Sequence, residues 1–72
     1  MDDELLTTDE VAARLRATPR FVRRLVAERR ITYVKVGRLV RFEEVAVIAY
    51  IDANRVVPLN RAQLRLDLRR AA

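Results

Sequence analysis

The sequence predicts a mainly α-helical fold with a two-stranded β-hairpin and a C-terminal tail helix. Three observations predict it. The helix formers Ala, Leu, Arg and Glu dominate the composition. Apolar residues recur three and four apart in several short stretches, each opened by a polar capping residue. The one glycine, Gly37, stands between two runs of β-branched and aromatic residues. With 72 residues the chain makes one small domain at most, burying only about 60% of the surface it exposes when unfolded. An apolar fraction of 51% excludes a disordered chain.

The first helix begins at Thr7. Thr7 can cap, Glu10 three residues on can complete a capping box, and Leu6 can staple onto Val11. The helix then runs to about Arg16, with Val11, Ala12 and Leu15 as its core face. Ala17-Thr18-Pro19 ends it and starts a second helix, because Thr is a good cap and Pro costs nothing at the first helical position. In this second helix, expected from Pro19 to Arg29, Val22, Leu25 and Val26 point one way and Arg20, Arg23 and Arg24 the other. Phe21 flanks both faces and fits either core packing or contact with a thymine methyl.

Tyr33-Val34-Lys35-Val36 and Leu39-Val40-Arg41-Phe42, separated by Gly37-Arg38, read as a hairpin with a type I′ or II′ turn. Arg38 would stand at its tip, with Lys35 and Arg41 on its strands. A third helix is expected from Glu43 to about Asn54, closing the core with Val47, Tyr50 and Ile51. Val45, Ala46, Ile48 and Ala49 make it apolar nearly all round, so a second contact is expected, either with the chain's own tail or with another copy. Residues 1–54 thus form the body and residues 55–72 a tail. In the tail Asn60 can cap, Gln63 can complete a capping box and Leu59 can staple onto Leu64, giving a helix from Arg61 to about Arg70. The alternation of Leu64, Leu66 and Leu68 with Arg65, Asp67 and Arg69 also fits a strand; capping and composition favour the helix.

The inventory argues against catalysis. Ser, Cys and His are all missing, which removes the usual nucleophiles, the proton carrier of neutral pH and any thiolate or imidazole metal site. Glu43 and Glu44 are adjacent, so on a helix they cannot flank one bond, and they read better as a negative first turn. No enzyme activity, metal or cofactor is expected. The acidic start Met1-Asp2-Asp3-Glu4 is unlike a signal peptide and no stretch is long enough for a membrane span, so a soluble, cytoplasmic protein is expected.

Charge points to a partner. The net +5 conceals a division: residues 1–10 carry five acids and no base, and residues 14–41 carry ten bases and one acid, Glu28. A solvated surface normally mixes both signs, whereas nucleic-acid binders segregate positive charge. Arg20, Arg23 and Arg24 repel one another at their spacing, a conflict that a polyanion removes. An RNA-binding protein would share the charge but more often exposes stacking aromatics, and here two Tyr and two Phe are the whole aromatic set.

Helix, tight turn, Arg-rich helix, hairpin, closing helix is the order of a winged helix-turn-helix domain. Leu5-Leu6-Thr7-Thr8-Asp9-Glu10-Val11-Ala12, then Thr18 to Leu25, Val36-Gly37-Arg38 and Arg41-Phe42 resemble the excisionase and MerR-like DNA-binding family over about two-thirds of the chain. The resemblance implies that the second helix enters the major groove and the hairpin contacts the adjacent minor groove. The expected DNA-facing set is Thr18, Arg20, Phe21, Arg23, Arg24, Lys35, Arg38 and Arg41. The family usually has Gly where Arg29 stands and Trp where Tyr50 stands. MerR-type regulators continue into a long coil and an effector domain, whereas this chain stops at Ala72, which favours the excisionase branch: a phage or mobile-element protein that bends DNA and assists an integrase in excision. A small transcriptional repressor would use the same parts. Val45, Ile48, Leu64 and Leu68 are the expected self-association residues on tandem sites.

Overall fold

A computed structural model describes residues 4–58 and 61–71, with the side chains of residues 61–64 and 71 outside that description. The elements are α1 (Thr8–Leu15), α2 (Pro19–Ala27), β1 (Val34–Val36), β2 (Leu39–Arg41), α3 (Glu44–Ala53) and α4 (Arg61–Ala71). This is a small winged helix-turn-helix domain: two helices across a tight turn, an antiparallel hairpin as the wing, a closing helix and a C-terminal helix.

The caps fall where side-chain chemistry places them. The Thr7 amide donates to Glu10 Oε1 at 2.8 Å and the Glu10 amide to Thr7 Oγ1 at 3.1 Å, a complete capping box. Thr18 Oγ1 accepts from the Phe21 amide at 3.1 Å, with Pro19 at the first position of α2. Each such cap stabilises its helix by about 1 kcal/mol. The proposed cap at Asn60 lies outside the described residues.

α1 and α2 end in the same way. Arg16 and Arg29 each adopt left-handed backbone, with φ of 53° and 56°. The next amide in each case reaches back to the helix: Ala17 N to Ala12 O and Arg30 N to Leu25 O, both 2.8 Å. This closing turn satisfies carbonyls that would otherwise be orphaned and reverses the chain sharply. It also stops α2 at Ala27 rather than Arg29, two residues before the helix expected from the sequence. A side chain in this conformation costs about 1–2 kcal/mol that glycine avoids, part of which glycine returns through its freer unfolded chain. Arg29→Gly is therefore expected to raise stability by about 1 kcal/mol, or about 4–8 °C in Tm, and Arg29→Ala to bring no such gain. Thermal unfolding of the two variants checks this; equal melting temperatures would place no strain at Arg29.

Leu6, Val11, Ala12, Val22, Leu25, Ile31, Phe42 and Val47 form one buried cluster, with Leu15, Val26, Tyr33, Val40 and Tyr50 packed on its edge. α3 contributes Ala46 and Val47 to the interior. Ile51, expected in the core, is instead 40% exposed, and Ala46 takes the inward place. A helix apolar on all sides carries no phase in its sequence, so its buried side is chosen by what packs beside it. Glu43 stands at the N-cap of α3 without a side-chain capping bond, and its neighbour Glu44 pairs across to Arg14 of α1. That guanidinium holds the Glu44 carboxyl below the ordinary carboxylate range, first through the hydrogen bond. The tie is present at neutral pH and is lost as acid protonates Glu44 below that lowered value.

The wing is anchored by a contact with the N-terminal segment. The Leu6 amide donates to Phe42 O at 2.7 Å and the Phe42 amide to Leu6 O at 2.9 Å, extending the ribbon by one antiparallel bridge. A lone two-stranded ribbon is marginal in water. Here both residues of the bridge are also core side chains, so backbone pairing and apolar burial support the same junction.

Candidate nucleic-acid interface

Val22 and Leu25 are fully buried in α2, and this fixes the helix's rotation. Arg20, Arg23 and Arg24, three and four residues apart, are consequently turned outward and exposed. Among the described residues the ion pairs are Arg14 with Glu44, Arg30 with Glu28 and Arg55 with Asp52, so the three arginines of α2 enter none of them. Each guanidinium is exposed and offers five donors, on a helix whose diameter with side chains, about 10–12 Å, fits a B-DNA major groove about 12 Å wide. Phe21 is 36% exposed and is not among the residues packed on the core, which leaves its ring accessible at the margin of this face. Thr18 lies at the start of the same helix, but its hydroxyl oxygen already accepts the Phe21 amide.

Register sorts the cations of the wing. Val34 pairs with Arg41, Lys35 with Val40 and Val36 with Leu39. Directly opposed residues share a face, so Lys35 lies on the Val40 face, which packs on the core, and Arg41 on the opposite face with Val36 and Leu39. Lys35 and Arg41 therefore do not form one patch. Arg41 is half-buried and donates from Nη1 to Val40 O at 2.8 Å, which commits part of its guanidinium to the ribbon itself. Arg38 is exposed at the tip, beside Gly37 with φ +64°. Positive φ at Gly37 and not at Arg38 identifies the type II′ turn between the two possibilities.

The α2–β1 connection carries cations beyond the expected set. Arg29 and Arg30, both exposed, line an open hollow with Ile31, Thr32 and Tyr33 between the end of α2 and the wing. The basic run through residues 14–41 was the available signal for them, with Arg29 expected as the last residue of the helix and Arg30 just beyond it. The left-handed turn at Arg29 is what presents them.

The expected association residues are divided among described and undescribed positions. Val45 is 66% and Ile48 50% exposed on α3, and Leu68 is 63% exposed on α4. The Leu64 side chain lies outside the described residues. Among the described residues no group of His, Cys, Asp and Glu could hold a metal ion, and no helix is long and apolar enough to cross a membrane.

A family model described as a helix-turn-helix domain matches residues 5–55, from the bridge segment through the end of α3. No curated protein and no solved structure matches the chain.

Proposed function

The chain belongs to the helix-turn-helix domain family, a DNA-binding family, and on that premise we propose that it binds and bends a specific duplex as an excisionase, the architectural accessory of an integrase in site-specific excision. The observation that carries the reading is the outward comb of Arg20, Arg23 and Arg24, exposed and without ion-pair partners among the described residues, opposite buried Val22 and Leu25. On this reading α2 reads base edges in the major groove, where arginine is the commonest partner of guanine, and Arg38 enters the narrower minor groove, whose negative potential attracts guanidinium.

Bending has its own support in the wing. Val36 and Leu39 form an exposed cross-strand apolar pair directly beside Arg38. Apolar side chains carried into a minor groove by a cationic neighbour can press between base steps and kink the duplex. The likeness of Leu5-Leu6-Thr7-Thr8-Asp9-Glu10-Val11-Ala12 and Val36-Gly37-Arg38 to the excisionase and MerR-like family supports this reading.

Self-association on tandem sites, through Val45 and Ile48 of α3 with positions 64 and 68 of α4, completes the proposal. A contact of about 1.4 kcal/mol between neighbours raises occupancy tenfold and propagates a bend. Footprinting on candidate attachment-site DNA tests the whole reading. The expected result is several adjacent protected sites filled cooperatively, with Ile48→Lys binding one isolated site as the parent does but losing the cooperativity. One protected promoter palindrome, with no response to integrase, would instead identify a small transcriptional repressor.

A further inference from the structure

We propose that α4 is a second DNA contact, an arginine-faced arm that lies along the phosphate backbone beside the site held by α2 and the wing; this rests on the DNA-binding reading and extends it beyond the matched residues 5–55.

Charge distribution is the first ground. Residues 1–54 hold ten bases against nine acids, whereas residues 55–72 hold five bases against one acid. The body is therefore almost neutral overall, its basic face balanced by acids elsewhere, and most of the chain's net +5 resides in the tail. Sequence-independent attraction to a polyanion follows uncompensated charge, and the tail is where it is concentrated.

Arrangement is the second. Positions 61, 65 and 69 are all arginine and, at four-residue spacing, share one side of α4. Asp67 is the one acid in the helix, and its first turn contains none. Like charges four apart weaken an isolated helix, and a solvated helix designed for stability alone would interleave glutamates. Arg65, Arg69 and Arg70 are exposed, and among the described residues none of them enters an ion pair. Successive turns lie 5.4 Å apart, and a duplex presents one negative charge per about 1.7 Å of axis, so each arginine on the stripe meets a phosphate without any demand on base sequence.

Reach is the third. Seven residues separate Ala53 at the end of α3 from Arg61 at the start of α4. Extended, they span up to about 24 Å, and α4 itself is about 16 Å long. That length is enough for the stripe to reach past the groove assigned to α2 and along about half a turn of flanking duplex.

The double variant Arg65→Gln/Arg69→Gln in the full chain tests the arm, since glutamine forms helix nearly as well as arginine. Salt-dependent affinity is measured on a long duplex and on one trimmed to the footprint of the body. On the long duplex the slope of log K against log salt is expected to fall by about 1.8, with about fivefold weaker binding per arginine near 0.15 M salt. On the trimmed duplex parent and variant are expected to bind alike. An unchanged slope on the long duplex leaves these arginines to a protein partner and overturns the inference, as does an equal loss on both duplexes. If the parent binds neither duplex, the DNA-binding reading itself fails; if it binds and Arg24→Ala weakens it, only the arm is in question.

Discussion

Phe42→Ala is expected to destabilise the domain by about 3–5 kcal/mol and to abolish DNA binding with the fold. Phe42 is fully buried and is the largest side chain in the core. It also lies at a junction: its backbone pairs in both directions with Leu6, the wing's second strand ends just before it, and the N-cap of α3 follows immediately. Truncating the ring leaves a cavity that cannot close without moving the wing, the N-terminal segment and the start of α3 together. A domain of 72 residues has about 4–11 kcal/mol of stability in all, so the loss takes a large share of it. At about 4–8 °C for each kcal/mol, the melting temperature should fall by well over 10 °C. Phe42→Leu, which restores most of the volume, should recover most of the difference. A drop of under 5 °C for the alanine variant would show that the junction closes up around the missing ring.

The helices at the front of the chain were legible because their signals are local. Thr7 with Glu10, and Thr18 with Pro19, are complete within four residues, and the structure places both caps there. The hairpin was legible for the same reason, through Gly37 between β-branched runs. What escaped was non-local or phase-free. Leu6 pairs with Phe42 across thirty-six positions, and nothing in Leu5-Leu6 announces a strand. α3 is apolar nearly all round, so its spacing placed Val47 and Tyr50 on the core side but put Ile51 there too, where Ala46 proved to be buried.

The same division runs through the site. The arginine comb of α2 could be read from spacing, because the buried Val22 and Leu25 determine where Arg20, Arg23 and Arg24 must point. The wing's cations could not be sorted without a register. Only the pairing of Lys35 with Val40 and of Arg41 with Val34 places them on opposite faces. Arg29 illustrates a third case. Its side chain sits at a left-handed position where a glycine would relieve the backbone, on the margin of the basic face.

Arg24→Ala is expected to weaken binding to the specific site by about 1–3 kcal/mol, a loss of about fivefold to more than a hundredfold, with the melting temperature little changed. Arg23→Ala should behave similarly. Both side chains are exposed, and Leu25 and Val22 hold the helix in place without them, so the fold does not depend on either guanidinium. The two effects of an arginine can be separated by probe and by salt. A side chain that spans the O6 and N7 of a guanine loses its contribution on the cognate duplex and hardly at all on a duplex with that base pair changed. One that rests on a phosphate loses affinity on every duplex alike and lowers the salt slope by about 0.9. For a helix whose arginines occupy one narrow face, at least one of Arg20, Arg23 and Arg24 should follow the first pattern, since the groove floor lies opposite the middle of that face and the phosphates at its margins. Alanine variants at all three positions are measured on cognate and altered duplexes across a salt series. If all three lose affinity only in the second pattern, α2 lies along the backbone instead of in the groove; if none loses affinity and each is folded, the DNA contact lies elsewhere on the chain.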